Sequence, residues 1–344
     1  MINKNLLIQK LLKTILLSCL LFWNTQSRIV LADTHSSHLD SQPAETTEVK
    51  SILLWKRSFE EIKAKAEAGD AYAQAVLAER YMNGIETKID YKEAKRWAEE
   101  SDFYNHPLGG FMMAYLYVKG RGVKKDFYKA DLFFVKTFTK IVALAEQGNA
   151  IAENNLGILF WIGAIVKKDS KIAFEWFQKS ADQGYADAQN YLAGMYDLDK
   201  DTERDYTAAF YFYKRAAEKG HAHAQYNLGV MYKFGYGIAK NYEKAVFWYR
   251  KAAIKGQVSA QNNYGHMLRM GYGTNQDYKK AIMWFKKAAE QGNGLAYRNL
   301  GFMYKKGYGV KKDCLLSTRL YRKAIKLGDF KSKGYLKQNK QKCN

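Results

Sequence analysis

Proline occurs only twice in these 344 residues, whereas glycine occurs 26 times. Proline breaks a helix interior and glycine readily ends a helix, so the two counts fit many short helices closed by glycine turns. Cysteine is equally scarce, with 3, too few for a disulfide-dense scaffold. Acidic residues are outnumbered, 34 against 55 Lys and Arg, which leaves a formal charge of +21. Catalytic signatures are missing: there is no His-Glu-x-x-His, no Gly-x-Ser-x-Gly, no glycine-rich phosphate loop and no Ser-x-x-Lys. His221 and His223 are two residues apart, off a shared helical face, and read as exposed histidines at a helix start. No metal and no cofactor is therefore expected, and the absences favour a binding protein over an enzyme.

Long apolar runs are also missing. The strongest, Ile15 to Trp23, is short of the ~20 residues that span a bilayer. It follows Lys4, Lys10 and Lys13 and precedes Val30-Leu31-Ala32, the order of a charged region, an apolar region and a small-residue cleavage site. Residues 1–32 are thus expected to be a cleavable signal peptide, with an uncleaved anchor as the alternative. Lipidation at Cys19 fits less well, because the apolar Leu20 to Trp23 would follow it. The mature chain is expected to be periplasmic or secreted, to have no transmembrane segment and to be a monomer. Its charge would still be +17, a field that favours anionic partners. An exported protein rarely meets nucleic acid, so acidic polymers or proteins are the better candidates, and a solvated, solubilising surface is the plain alternative.

What the sequence does contain is a repeat. Glycines recur every 36 residues at Gly148, Gly184, Gly220, Gly256, Gly292 and Gly328. Asp90, Asp126, Asp169, Asp205, Asn241, Asp277 and Asp313 keep the same spacing except for one step of 43. Seven units follow: 70–105, 106–148, 149–184, 185–220, 221–256, 257–292 and 293–328. In unit 221–256, Ala222, Ala224, Leu228, Met231 and Tyr232 lie at helical spacing before a Gly235-Tyr236-Gly237 turn. Asn241 suits the N-cap of a second helix that carries Ala245, Trp248, Tyr249 and Ala252 and ends at Gly256. The small residues Ala73, Gly109, Ala152, Ala188, Ala224, Ala260 and Ala296 keep the first helix thin at a crossing. Trp97, Phe133, Trp176, Phe212, Trp248 and Trp284 are expected to fill the core from the second helix. The seven extra residues of unit 106–148 amount to two helical turns, so its second helix should be longer and protrude.

The pattern A-x-A-x-x-x-L-G-x-x-Y-x-x-G-x-G, then D-x-x-x-A-x-x-W and A-x-x-G, resembles the Sel1-like repeat, a relative of the tetratricopeptide repeat, over residues 70–328. Units 70–105 and 185–220 are the loosest, the latter having Asp197-Leu198-Asp199 at the glycine turn. The resemblance implies an all-α fold, a right-handed α-solenoid of seven helix-turn-helix repeats whose first helices line a concave surface. It also implies an adaptor or scaffold for protein complexes, in bacterial exported members tied to envelope function or host interaction.

Two columns on the first helix are candidate contacts for a protein or extended peptide. One is Asn155, Tyr191, Asn227, Asn263 and Asn299, whose amides can donate and accept at once along a peptide backbone; the alternative is that they satisfy neighbouring turns. The other, beside it, is polar and variable: Asn154, Asn190, Tyr226, Asn262 and Arg298. Ser51 to Gly69 is expected to form an N-terminal capping helix after a disordered linker, 33–50. Residues 329–344 are expected to form a C-terminal capping helix and basic tail. In a hairpin turning at Gly328, Cys314 and Cys343 come to the same end, so they are expected either to form a disulfide or to stand as two free thiols. An exported adaptor is the leading reading. A binder of anionic cell-wall or surface polymer is the second, and a wall or β-lactam hydrolase the third.

Overall fold

The computed structural model describes residues 53–198 and 204–342. The expected signal peptide, the linker and Cys343 lie outside them. Among the described residues there is no strand. After a single 3-10 turn, Leu54–Lys56, the chain forms α1, Phe59–Glu67, and then seven helical hairpins. These are α2 and α3 (Ala71–Asn83, Tyr91–Phe103), α4 and α5 (Pro107–Lys119, Phe127–Glu146), α6 and α7 (Ala150–Ile162, Ser170–Asp182), and α8 and α9 (Ala186–Leu198, Tyr206–Glu218). They continue with α10 and α11 (Ala222–Phe234, Tyr242–Ile254), α12 and α13 (Val258–Met270, Tyr278–Glu290), and α14 and α15 (Gly294–Lys306, Cys314–Lys326). α16, Ser332–Lys342, closes the stack. The architecture is the α-solenoid expected, and each helix packs on the next in sequence.

Local chemistry sets the boundaries. The first helices of repeats 1, 2, 3, 5, 6 and 7 end at glycines in the left-handed region, such as Gly235 (φ 79) and Gly271 (φ 72), where a side chain would be strained. Every second helix starts at the Asp or Asn column, whose carboxylate or amide oxygen accepts backbone N–H groups of the first turn. The hairpin is clasped by one more bond, from the N–H of that capping residue to a carbonyl of the first helix: Asp90 to Tyr81 at 2.9 Å, Asn241 to Tyr232 at 2.8 Å. Repeat 4 lacks the glycine turn yet keeps the clasp, Asp205 to Tyr196 at 3.0 Å. α5 has 20 residues where the other second helices have 13, so the two extra turns fall where the 43-residue step placed them.

Packing corrects one expectation. The small column of the first helix is fully buried. The large column at the core, however, is one position beyond the one expected: Phe134, Phe177, Tyr213, Tyr249, Phe285 and Tyr321 are at most 2% exposed. Of the expected column, Trp97, Trp176 and Trp284 are buried as well, at 5 to 8% exposed, whereas Phe133, Phe212 and Trp248 are half-buried. The deeper ring lies flat on the partner helix, which explains the glycine of the Leu-Gly pair: a Cβ at Gly265 would stand 2.8 Å from Phe285, and one at Gly229 would stand 2.7 Å from Tyr249. The Trp column forms a rim roofed by cations, with Lys179 over Trp176 at 4.3 Å and Lys287 over Trp284 at 4.6 Å.

Candidate functional site

The residues expected to hold a partner lie on the first helices, but they do not form one open groove. Asn155 and Asn262 are buried, and Asn190, Tyr191, Tyr226, Asn227, Asn263, Arg298 and Asn299 are half-buried. The two columns bond to each other, twice across repeats and once within repeat 6. Asn299 Nδ2 donates to Asn262 Oδ1 at 2.8 Å, Asn227 Nδ2 donates to Asn190 Oδ1 at 3.5 Å, and Asn262 Nδ2 donates to Asn263 Oδ1 at 3.4 Å. Tyr191 stacks on Phe177 at 5.0 Å, and its hydroxyl meets that of Tyr115, two repeats earlier, at 2.6 Å. Burial holds the Tyr191 hydroxyl well above its ordinary pKa, with Tyr115 next in effect. Arg298 is committed to the C-terminal cap through Asp329 Oδ1 at 2.8 Å.

The inner face is crowded because the solenoid turns back on itself. The turn between α2 and α3 docks on repeat 5: Ile89 N–H donates to the Lys255 carbonyl at 2.8 Å, and Lys255 Nζ donates to the Gly84 carbonyl at 2.6 Å. A Cβ on Gly84 would lie 3.1 Å from that of Ala222. Ile85, from the same turn, is buried in one apolar cluster with Ala186, Ala217 and Ala224. Trp55, ahead of α1, packs edge-on against Tyr185 at 5.3 Å. Burial lowers the Lys255 ammonium to about 8.

This closure encloses a polar cluster. Asp187 in α8 accepts from Asn154 of repeat 3 at 3.1 Å through Oδ2 and pairs with His221 of repeat 5 at 3.1 Å through Oδ1. His221 is the N-cap of α10, and its Nδ1 accepts the Ala224 N–H at 3.2 Å. An accepting Nδ1 leaves the proton on Nε2, so a neutral ring satisfies both bonds. The expectation of exposed histidines is therefore corrected: His221 is 0% exposed, and it fills the position that Asp70, Asn149 and Asn293 take elsewhere. Burial also depresses His223 to about 3, helped by Arg121 and His221. Glu79, from repeat 1, comes up beside Asp187; burial first, then that carboxylate, raises it above the usual carboxylate range. Among the described residues, no group of His, Cys, Asp and Glu is arranged to hold a metal ion.

The Sel1 repeat pattern matches seven stretches: residues 71–101, 111–130, 150–185, 186–221, 222–257, 258–293 and 294–329. The chain belongs to the Sel1 repeat family. Sel1 repeat proteins are generally scaffolds for protein–protein interaction and typically non-catalytic. No curated protein matches the sequence. Its structure is similar to that of a Sel1 repeat protein from Oxalobacter formigenes, at 31% identity and a TM-score of 0.54, over 78% of this chain and 99% of the other. It is also similar to a protective antigen of uropathogenic Escherichia coli, at 32% identity and a TM-score of 0.53, over 81% of this chain. The chain spans 58% of that protein's length. No helix among the described residues of this Sel1 repeat chain is long and apolar enough to cross a membrane.

Glu79, Asp187 and the turn at Gly84 to Ile89 carry no repeat signature, since each does something that its equivalents in other repeats do not. The one sequence sign was an acidic side chain at a helical position where no other repeat has an acid, as Leu295 stands in repeat 7 for Asp187.

Proposed function

We propose that this chain is an exported adaptor that holds a protein partner along the inner face of repeats 5 to 7. What supports the reading most is the contrast along that face. Asn154 and Asn155 of repeat 3 are buried, while Tyr226, Asn227, Asn263 and Asn299 of repeats 5 to 7 stay half-buried. The amides there are already oriented by one another, which reduces the entropy lost when they bind a backbone. The similarity to a protective antigen of uropathogenic Escherichia coli agrees with a role at the cell surface or toward a host. Crosslinking in intact cells identifies the partner, and changing Asn227 and Asn263 together to Ala should weaken its binding by tenfold or more, on the order of 1.4 kcal/mol. Unchanged affinity removes the inner face from the account.

Export also bears on the C-terminal cap. Tyr335 of α16 stacks on Tyr321 of α15 at 5.6 Å. Cys314 lies seven residues before Tyr321, and position 342 lies seven after Tyr335. We infer from this register that a disulfide between Cys314 and Cys343 would fasten the end of the stack, stabilising it by ~3 kcal/mol or somewhat more. Unreduced mass spectrometry of the exported protein should show two fewer hydrogen atoms than the reduced form. Two free thiols rule the bridge out.

A further inference from the structure

Charge and aromatic pairing change together halfway along the stack. From residue 221 onward there are 25 Lys and Arg against 5 Asp and Glu, whereas residues 51–220 carry 25 of each. Even those five acids are partly spent: Asp277 and Asp313 cap helices, and Asp329 is held by Arg298. At the same boundary a ladder of stacked tyrosines begins on the edge formed by the hairpin turns. Tyr206 pairs with Tyr236 at 5.0 Å, Tyr242 with Tyr272 at 5.0 Å, and Tyr278 with Tyr308 at 4.8 Å, each with rings within 13° of parallel. Each pair joins the first residue of a second helix to the Gly-Tyr-Gly turn of the next repeat. The second glycine is required there, because a Cβ on Gly237 would lie 2.1 Å from the Tyr206 carbonyl. In the earlier joints Tyr91 meets the Arg121 guanidinium instead, and Phe127 and Ala164 hold the paired positions.

Cations line the ladder. Lys240 lies over Tyr242 at 4.5 Å, Lys244 over Tyr232 at 5.5 Å and Arg269 over Phe302 at 5.0 Å. Lys306, Lys311 and Lys312 are exposed on the last turn. Phe234 (54% exposed) and Tyr236 (39%) form the solvent side of the first rung.

We propose that this turn edge of repeats 5 to 7 is a docking strip for an acidic polysaccharide, separate from the inner face and independent of the adaptor reading. The strip repeats a tyrosine pair and its ammonium groups once per hairpin, which suits a stiff chain whose sugars and charges also recur at a fixed interval. Among the described residues the strip has no strand edge, so an extended peptide finds no ladder to extend. Its rings are already paired face to face, so the bases of a single-stranded nucleic acid find no open stacking platform.

The full-length protein titrated with polygalacturonate, polyglutamate and oligothymidylate at low salt tests this. Polygalacturonate should bind tightest, and its affinity should fall steeply as salt is added. Changing Lys240, Lys306, Lys311 and Lys312 to Gln should weaken it at least about tenfold. Changing Arg250, Lys251, Lys286 and Lys287 to Gln removes the same charge from exposed second-helix positions and should weaken it less than about threefold. All eight positions are half-buried or exposed surface side chains, so circular dichroism should show both variants folded. Equal losses in the two variants would mean net charge and no strip. Tighter binding of polyglutamate or oligothymidylate would overturn the polymer class.

Discussion

Repeats 1 to 4 and repeats 5 to 7 are built from the same hairpin with the same caps, but they meet different neighbours. The first group surrounds its own interior, with the turn of repeat 1 seated on repeat 5 and Glu79, Asn154, Asp187 and His221 gathered beneath it. In the second group repeat 5 carries that docked turn, while Asn263 and Asn299 of repeats 6 and 7 stay half-buried. This group keeps a half-open inner face and carries the basic, tyrosine-paired edge. The lesson is that a repeat sequence specifies the hairpin and its nearest neighbours, whereas contacts four repeats apart depend on the accumulated rotation and can differ along one chain.

The largest effect expected from breaking this contrast is at Asp187. Asp187→Ala leaves the Asn154 amide and the His221 ring without their acceptor inside the closed half, and should cost about 3 kcal/mol in urea unfolding. Leu295→Ala, at the same place in repeat 7, where the side chain is 43% exposed, should cost under about 0.5 kcal/mol. Equal costs would mean that the two halves are alike.

Next is a pair of glycine changes. Gly265→Ala pushes a methyl into Phe285 and should destabilise by about 2 kcal/mol. Gly194→Ala, whose Cβ meets only the Tyr213 hydroxyl at 3.6 Å, should be neutral or stabilise by up to about 1 kcal/mol through helix propensity.

The enclosed cluster should also give the closed half its own pH dependence. Glu79 is raised when folded, so the unfolded chain ionises first, and the cost of keeping it buried grows as pH rises above its ordinary 4.5. Glu79→Gln should therefore gain stability over the parent between pH 5 and pH 8, in melting temperature, and match it near pH 4. His223 is lowered to about 3, so the unfolded chain takes up the proton first. Stability falls as pH drops from about 6.5 toward 3, and His223→Gln should flatten that limb. Smallest is Lys255→Met, which removes the bond to the Gly84 carbonyl and should cost about 1 kcal/mol, with hydrogen exchange rising in the 84–89 turn.

Much of the fold was legible in the sequence because its causes are local. The Asp and Asn caps, the glycine stops and the seven-residue lengthening of α5 all act within one hairpin, and each stands where periodicity put it. The core column was misplaced by one residue because Trp248 and Tyr249 are adjacent and equally large, and only the packing angle decides which ring meets Gly229. The candidate site was read least well. The asparagine columns were found, but their exposure depends on what lies across the superhelix, so Asn155 proved buried while Asn227 did not. His221 was misread because an imidazole nitrogen can cap a helix as an oxygen does.

The closure itself is tested most directly by amide exchange at two equivalent turn positions, Ile89 in repeat 1 and Lys240 in repeat 5, each just before its capping residue. Ile89 donates to the Lys255 carbonyl four repeats away, and among the described residues no backbone carbonyl accepts from Lys240. The account predicts that the Ile89 amide is strongly protected while that of Lys240 exchanges quickly. Equally fast exchange at both would contradict it.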